Sequence, residues 1–440
     1  MDPIVVGLLG VAALLILLFL GVHIGMAMVI VGFVGVTIVM GSPTAALGYL
    51  RSTPFSTSAS FSISVIPMFV LMGQICYYAG ISGDLYNFCH KFLGRIRGGL
   101  SVATIAACGG FSAICGSATA TTATMGVVCL PEMEKYGYKD TLSTGSISAG
   151  GTLGILIPPS TGFILYGTSA QVAVGKMFAA GIFPGILLAV LYAITVIIIC
   201  MVDKNAGPKG EKFSMREKVK SIPGVLPIAI LFVIVLGGIF MGKFTPSEGA
   251  SIGAFGSFIF MLIRRKATLK NIIAALFDTI KTTAMIFLIM IGAYIFGYFL
   301  TASNMPSALA NWVASLNVPV VVILIGILLV YAILGMFVDS LPLIVLLVPI
   351  FLPIIDQLQI IPNQELNRIW FGVLMVMIMQ LGLITPPVGM CCYVMAGVAQ
   401  KVPLQRIFKG TAPFILALLV GVLLAIFITP LSTWLPSMMS

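Results

Sequence analysis

The sequence predicts an all-α polytopic membrane protein, built as an inverted repeat with two re-entrant hairpins and two broken helices. Three observations predict it. Of 440 residues, 60% are hydrophobic and only 8% are charged, against about 25% charged in a soluble domain; mean hydropathy is +1.16. Apolar runs long enough to cross a bilayer core recur from end to end. Finally, AGGTLGILIPPSTGF (Ala149–Phe163) places two adjacent glycines and two adjacent prolines inside one such run. Gly and Pro cost roughly 1 and 3 kcal/mol in a helix interior, so this run breaks where a span should continue.

In chain order, full spans are expected at Ile4–Val22, Ile24–Met40, Phe61–Ala79, Thr141–Tyr166 (broken), Ala180–Val202, Ile222–Met241, Ala250–Ile263, Thr282–Leu300, Trp370–Met395 (broken) and Thr411–Thr429. The N-terminal MDPIVVGLLG has no basic n-region or clear cleavage site and reads as the start of the first span. Two further apolar regions read as hairpins: residues 100–133, with GSATATT at the centre, and residues 318–355, with DSLP at the centre. In the first, the arm Thr119–Leu130 reaches about 18 Å at 1.5 Å per residue, too short to cross. In the second, Val318–Val338 is long enough to span by itself. The longest polar stretch, Asp203–Ser221, is a loop rather than a domain.

Charge tests this order. With the first residue outside and strict alternation, 19 of the 23 basic residues fall inside, the bias expected of cytoplasmic loops. Arg51, Lys176, Lys243 and Arg368 are the four outside. Both termini are then expected to be periplasmic. The net charge of +10 follows membrane topology and does not indicate a nucleic-acid partner. Trp312, Trp370 and Trp434 fall near the outer boundary, where aromatic anchors are common.

The chain also repeats itself. LGILIPP (Leu153–Pro159) returns as LGLITPP (Leu381–Pro387) 228 residues later; Ser117 and Ser340 at the hairpin tips are 223 apart, Leu130-Pro131 and Leu352-Pro353 are 222 apart, and Pro184 and Pro413 are 229 apart. The chain divides into a first repeat (1–202, hairpin 100–133, broken helix 141–166), a loop (203–221), and a second repeat (222–440, hairpin 318–355, broken helix 370–395). Five crossings per half is an odd number, so the halves enter from opposite sides. Secondary transporters are commonly built this way, with sites where interrupted helices meet near the midplane. Irregular backbone at that depth is tolerated only where it is buried or lines a cavity, and its free carbonyls can hold a cation. A packing kink is the alternative for a single Pro-Pro; the matched pair argues against it.

Other chemistries find little support. The eight cysteines contain no C-x-x-C and suit small apolar packing positions. His23 and His90 lack metal-ligand spacing. There is no H-E-x-x-H motif and no Ser–His pair at a hairpin or break, so an intramembrane enzyme is disfavoured. A channel would need a pore lining or filter, and inverted broken hairpins suit alternating access better.

GGTLGILIPPS (Gly150–Ser160) and GRIRGGLSVATIAACGGFSAICGSATATTATMG (Gly94–Gly126) resemble the signature and first hairpin of the large membrane subunit of tripartite ATP-independent periplasmic (TRAP) transporters, the DctM-like family. The resemblance covers essentially the whole chain. It implies a sodium-driven elevator-type transporter of bacterial or archaeal inner membranes, with no cofactor beyond Na⁺ as coupling ion. Its cargo would be a small organic acid. It implies two partners, a small DctQ-like membrane subunit and a periplasmic DctP-like substrate-binding protein. By position, one Na⁺ site would use Ser112, Gly116, Ser117, Thr119, Gly151 and Thr152, and its twin Gly335, Asp339, Ser340, Gly382 and Thr385. Substrate would sit near Ala118, Pro158, Pro159, Ser160, Pro386 and Pro387. Hydroxyls, carbonyls and a carboxylate are the oxygen ligands a hard cation takes. The first tip is rich in Ser and Thr while the second carries an acid, so the two sites need not act alike. A sodium–anion symporter of similar architecture, working without a binding protein, is the alternative reading.

Several residues have plainer readings beside the functional one. Asp339 is an acid within an apolar run, usually functional in membranes, but it could cap the second arm of its hairpin. Ser117 and the threonines after it could serve close helix approach. Glu248 opens a helix and balances its dipole. Arg264, Arg265 and Lys266 read as a topology signal. Lys266–Lys281 could be an interfacial arm, matched in the first half by Asp84–Arg97.

Overall fold

The computed structural model describes residues 2–316 and 318–439; residues 1 and 440, the outermost of the two expected halves, lie outside the described residues. The described residues form twenty α-helices: α1 (Pro3–Phe19), α2 (Ile24–Met40), α3 (Pro43–Ser58), α4 (Val65–Tyr78), α5 (Ile81–Leu93), α6 (Gly99–Cys115), α7 (Ala118–Lys135), α8 (Asp140–Thr152), α9 (Thr161–Ala170), α10 (Val174–Val202), α11 (Met215–Phe240), α12 (Pro246–Ile263), α13 (Leu269–Ala302), α14 (Met305–Ser315), α15 (Val320–Gly335), α16 (Ser340–Leu358), α17 (Gln364–Ile384), α18 (Met390–Val398), α19 (Leu404–Phe427) and α20 (Pro430–Ser437). No strand occurs among the described residues. Among the described residues seven helices are long and apolar enough to cross a bilayer, or eight if α4 and α5, bent by 69° at their junction, are counted as one span. This multi-pass membrane protein therefore shows fewer self-sufficient spans than the ten crossings expected. The difference lies in α1 and α2, each 17 residues, and in α8 and α9, too short singly because the Gly and Pro pairs divide them. In the other direction, α16 alone is long enough to span.

The first hairpin begins and ends on one face. Gly98 N–H and Lys139 N–H, at its two feet, donate to Gly207 O and Ala206 O of one loop, each at 3.0 Å. Lys139 also holds the Asp203 carboxylate, which lies below its ordinary pKa for that reason. The second arm is longer than expected: α7 has 18 residues, about 27 Å at the helical rise. Its length therefore does not mark it as re-entrant; its feet show that the chain returns to the side from which it started. The second hairpin is tied similarly, since Gln357 near its end bonds Asn311 just before its start at 3.2 Å.

Element boundaries recur through the chain at offsets close to those of the sequence motifs. Helix α2 corresponds to α12, α4 to the end of α13, α5 to α14, α6 and α7 to α15 and α16, α8 and α9 to α17 and α18, and α10 to α19. Packing recurs with them: α2 lies on α13 as α12 lies on α4, and α1 lies on α2 as α11 lies on α12. Small residues permit this. Gly25 and Gly292 put α2 and α13 in backbone contact, and a Cβ at Gly253 of α12 would meet Met72 of α4 at 2.5 Å. The register corrects one pairing. The Lys266–Lys281 stretch is continuous with its span in the 34-residue α13 and corresponds to α3, whereas α5 corresponds to α14. A helix whose apolar periodicity runs on has no reason to bend; α5 is separate because Gly80, at φ 78°, takes a turn that L residues avoid.

Two further expectations change. Trp370 is buried, its indole N–H donating to Ala425 O at 2.9 Å; it holds α17 to α19 and is no lipid anchor, while Trp312 and Trp434 are exposed. Arg264 does more than mark topology. It pairs with Asp84 of α5 and reaches the carbonyls of Ala79 and Gly80 at 3.4 and 3.5 Å, clasping the α4–α5 bend.

Candidate functional site

The first hairpin ends in Gly116, at φ 61°, a left-handed turn suited to glycine. Ser117 then caps α7 by accepting from Ala120 N–H at 3.5 Å. Beyond α8, a short 3₁₀ turn (Leu153–Ile155) and the proline pair separate the two half-helices. Ser160 starts α9, its hydroxyl accepting from Phe163 N–H at 3.3 Å and donating to Ile155 O. Tip and break are joined directly: Gly116 O accepts from Thr161 N–H at 3.3 Å and from Thr161 Oγ1 at 2.7 Å. A Cβ on Gly154 would meet Ser117 O at 2.5 Å, so the break lies flush against the tip.

The second half repeats this join. Met336 O, in the second tip, accepts from Val388 N–H of the second break at 3.2 Å. The Gly335 carbonyl lies directly against Gly382, with no room for a side chain at 382. Both proline pairs, Pro158-Pro159 and Pro386-Pro387, contain cis peptide bonds. The halves are also exchanged: α7 packs on α18, and α16 packs on α9. Each hairpin's second arm thus rests on the half-helix that follows the other half's break.

The expected ligands divide on these facts. Gly116 O is engaged twice by Thr161, and Ser117 O twice by Thr121, at 3.1 Å to N–H and 2.7 Å to Oγ1. A carbonyl has two lone pairs, so these two oxygens shape the tip and have none left for an ion. Ser112 Oγ donates to Cys108 O at 2.6 Å. Thr152 Oγ1 is within 2.7 Å of Ala149 O and 3.3 Å of the Tyr192 hydroxyl, so it serves packing of α8 on α10. Gly151 lies tight against Thr122. Oxygens with acceptor capacity left are the hydroxyls of Ser112, which only donates, and of Ser117 and Thr119, 3.4 Å apart. In the second half they are the Gly335 carbonyl, Thr385 Oγ1, which donates to Leu381 O at 2.5 Å, Ser340 Oγ, which donates to Asp339, and Asp339 itself. Asp339 does cap α16: its Oδ1 accepts from Ser340 N–H at 2.7 Å and Ser340 Oγ at 3.2 Å. Both bonds use one oxygen, which leaves Oδ2. Glu248 is a cap outright, paired with Thr245 in a reciprocal capping box at the start of α12.

The expected substrate residues are not equivalent. Ala118, Pro158, Pro159 and Ser160 are buried, while Pro386 and Pro387 are exposed. Among the described residues no hydrogen bond links the two proline pairs. Three participants were missed from sequence: Thr161, Met336 and Gln380. Gln380 is fully buried on α17, and neither amide atom has a described partner. The internal repeat carried the signal, because Gln380 lies 228 residues after Thr152.

Comparison with known proteins shows the family. The family model described as tripartite ATP-independent periplasmic transporter, DctM component, matches residues 11–431. The chain is 34% identical over 402 residues to a C4-dicarboxylate TRAP transporter large permease protein of Pseudomonas aeruginosa, covering 91% of this chain and 92% of that one. It is 31% identical over 415 residues to a sialic acid TRAP transporter large permease protein of Vibrio cholerae, covering 93% and 94%. An isethionate TRAP transporter permease of Oleidesulfovibrio alaskensis is 34% identical over 441 residues, covering 96% of this chain and 68% of that one. Among solved structures, the Alcanivorax borkumensis YdaH transporter shares the fold, with TM-score 0.63 at 17% identity over 88% of this chain and 90% of that one. These relatives are named as transport permeases rather than enzymes. The chain belongs to the DctM family of TRAP transporter large permeases.

Proposed function

We propose that this permease carries a small organic acid inward, coupled to Na⁺, in an elevator cycle. The substrate would be delivered by a periplasmic binding protein, and a small DctQ-like subunit would complete the membrane unit. The observation that supports this most is the mirrored join of tip to break, Gly116 with Thr161 and Met336 with Val388. Two such units, exchanged between halves, would move as one body carrying two oxygen-bearing tips. Relatives named for C4-dicarboxylate, isethionate and sialic acid share an acidic substrate, which supports the class without fixing the member. No basic side chain falls in either tip or break, so the anion would meet N–H groups and hydroxyls.

Proteoliposome uptake with the cognate binding protein and a panel of organic acids tests this. Uptake should require an inward Na⁺ gradient and the binding protein. Each net charge moved inward gains about 2.3 kcal/mol per 100 mV, so an inside-negative potential should accelerate a cycle that carries excess Na⁺. Full-rate uptake without Na⁺ would refute the coupling. Full-rate uptake without the binding protein would favour the independent symporter.

The halves 1–202 and 222–440 would form the inverted repeat, with both termini periplasmic and the 203–221 loop cytoplasmic. Single cysteines in that loop should escape an impermeant maleimide in intact spheroplasts and react after permeabilisation. Labelling in intact spheroplasts would reverse the orientation.

A further inference from the structure

The two halves of the scaffold meet their hairpin tips at different depths. Phe337, in the second tip, stacks edge-on against Phe19, the last residue of α1, with ring centroids 5.7 Å apart. In the first half the corresponding contact is elsewhere. Ala113, Ile114 and Pro159 close onto the middle of α11, at Ile228, Leu231, Phe232, Val235 and Leu236, leaving only about 10 Å³ of free space. The repeat places Met241, just beyond α11, opposite Phe19 at an offset of 222. The first tip therefore sits about 5–13 residues short of the position that the second tip occupies, roughly 8–20 Å at the helical rise.

The seat on α11 has a twin that the second tip does not fill. Between α1 and α2 lies an apolar cavity of about 500 Å³. Its lining includes Val6, Leu9, Gly10, Ala13, Gly35 and Phe299. Shifted by 222 or 223 residues, these are Ile228, Leu231, Phe232, Val235, Ser257 and Cys76, all of which line the closed seat of the first tip. One surface, built twice, is filled by a tip in one half and open in the other.

We propose that the α1–α2 groove is the seat of the second hairpin tip, Gly335 to Phe337 with Pro387, in the opposite transport state. In that state the first tip leaves α11 and meets Met241, just as Phe337 meets Phe19 here. The inference rests on the elevator reading above and adds its end-points. It assigns the groove to a segment of this chain rather than to a lipid chain or a partner's helix, because the twin groove is filled by the equivalent segment.

Two cysteine pairs test it in the whole transporter. Phe19→Cys with Phe337→Cys should cross-link in the state described. Ala13→Cys with Met336→Cys, the twins of Val235 and Ile114, should cross-link through a short bifunctional thiol reagent only when the tip is seated in the groove. Each cross-link should stop uptake, and reductive cleavage should restore it. If the Phe19–Phe337 bond forms and uptake continues unchanged, the sliding motion itself is refuted. If that bond stops uptake, yet the Ala13–Met336 pair never forms under any Na⁺ gradient or substrate condition, the groove belongs to lipid or to a partner and the proposal falls. Ala13→Trp gives a readout that needs no cysteine. It should fill the groove and lower uptake about tenfold, some 1.4 kcal/mol, with membrane levels unchanged; wild-type uptake would overturn the seat.

Discussion

Alanine in place of both Pro158 and Pro159 is expected to lower Na⁺-driven uptake by roughly tenfold or more, with folded protein in the membrane little changed. The two prolines remove backbone N–H donors and clash with a continuing helix, at about 3 kcal/mol each relative to alanine. Without them, α8 can extend through the 3₁₀ turn toward α9. Thr161 would then swing away from Gly116 O, to which it makes two hydrogen bonds, and the first tip would lose its anchor. Folding should survive because α8 and α9 keep their packing on α7, α16 and α19. The same double change at Pro386 and Pro387 should loosen Val388 from Met336. Uptake assays normalised to membrane abundance decide the matter. Wild-type rates from both double mutants would make the breaks packing kinks and move the site elsewhere.

The second large effect is expected at Asp339. Asparagine caps helices as well as aspartate does, so Asp339→Asn keeps the bond to Ser340 N–H and removes only the charge. If the remaining carboxylate oxygen is a Na⁺ ligand, the half-saturating Na⁺ concentration should rise by roughly tenfold, about 1.4 kcal/mol of binding. Glu248→Gln should leave it near the wild-type value, because that carboxylate is spent on Thr245 at a helix start. An unchanged Na⁺ titration in folded, active Asp339→Asn protein would make the acid a cap and nothing more.

How much of this was legible beforehand follows from what each feature depends on. The long apolar helices were legible because composition and apolar length are local, and so were both breaks, because Gly and Pro act on their own backbone; the short helices α3, α14 and α20 were not. The helix-start roles of Asp339 and Glu248 were legible too, since a cap bonds within three residues; the cap at Ser117 was not read from sequence. The inner placement of Trp370 was not, because an indole at a boundary-like position reads the same whether it faces lipid or Ala425. Nor was the clasp of Arg264 on the α4–α5 bend, which needs Asp84, 180 residues away in sequence.

The candidate site divides along the same line. Sequence alone determined that the chain is a membrane protein of broken, repeated helices, and which residue types stand at the tips. Tertiary structure decided which of those oxygens are engaged from a distance: Thr161 takes Gly116 O, and Tyr192 meets Thr152. It also decided that one tip is seated and the other groove is open. Two halves with nearly the same pattern carry no local signal of their relative depth. Only the packing of a tip against a distant helix can break that symmetry.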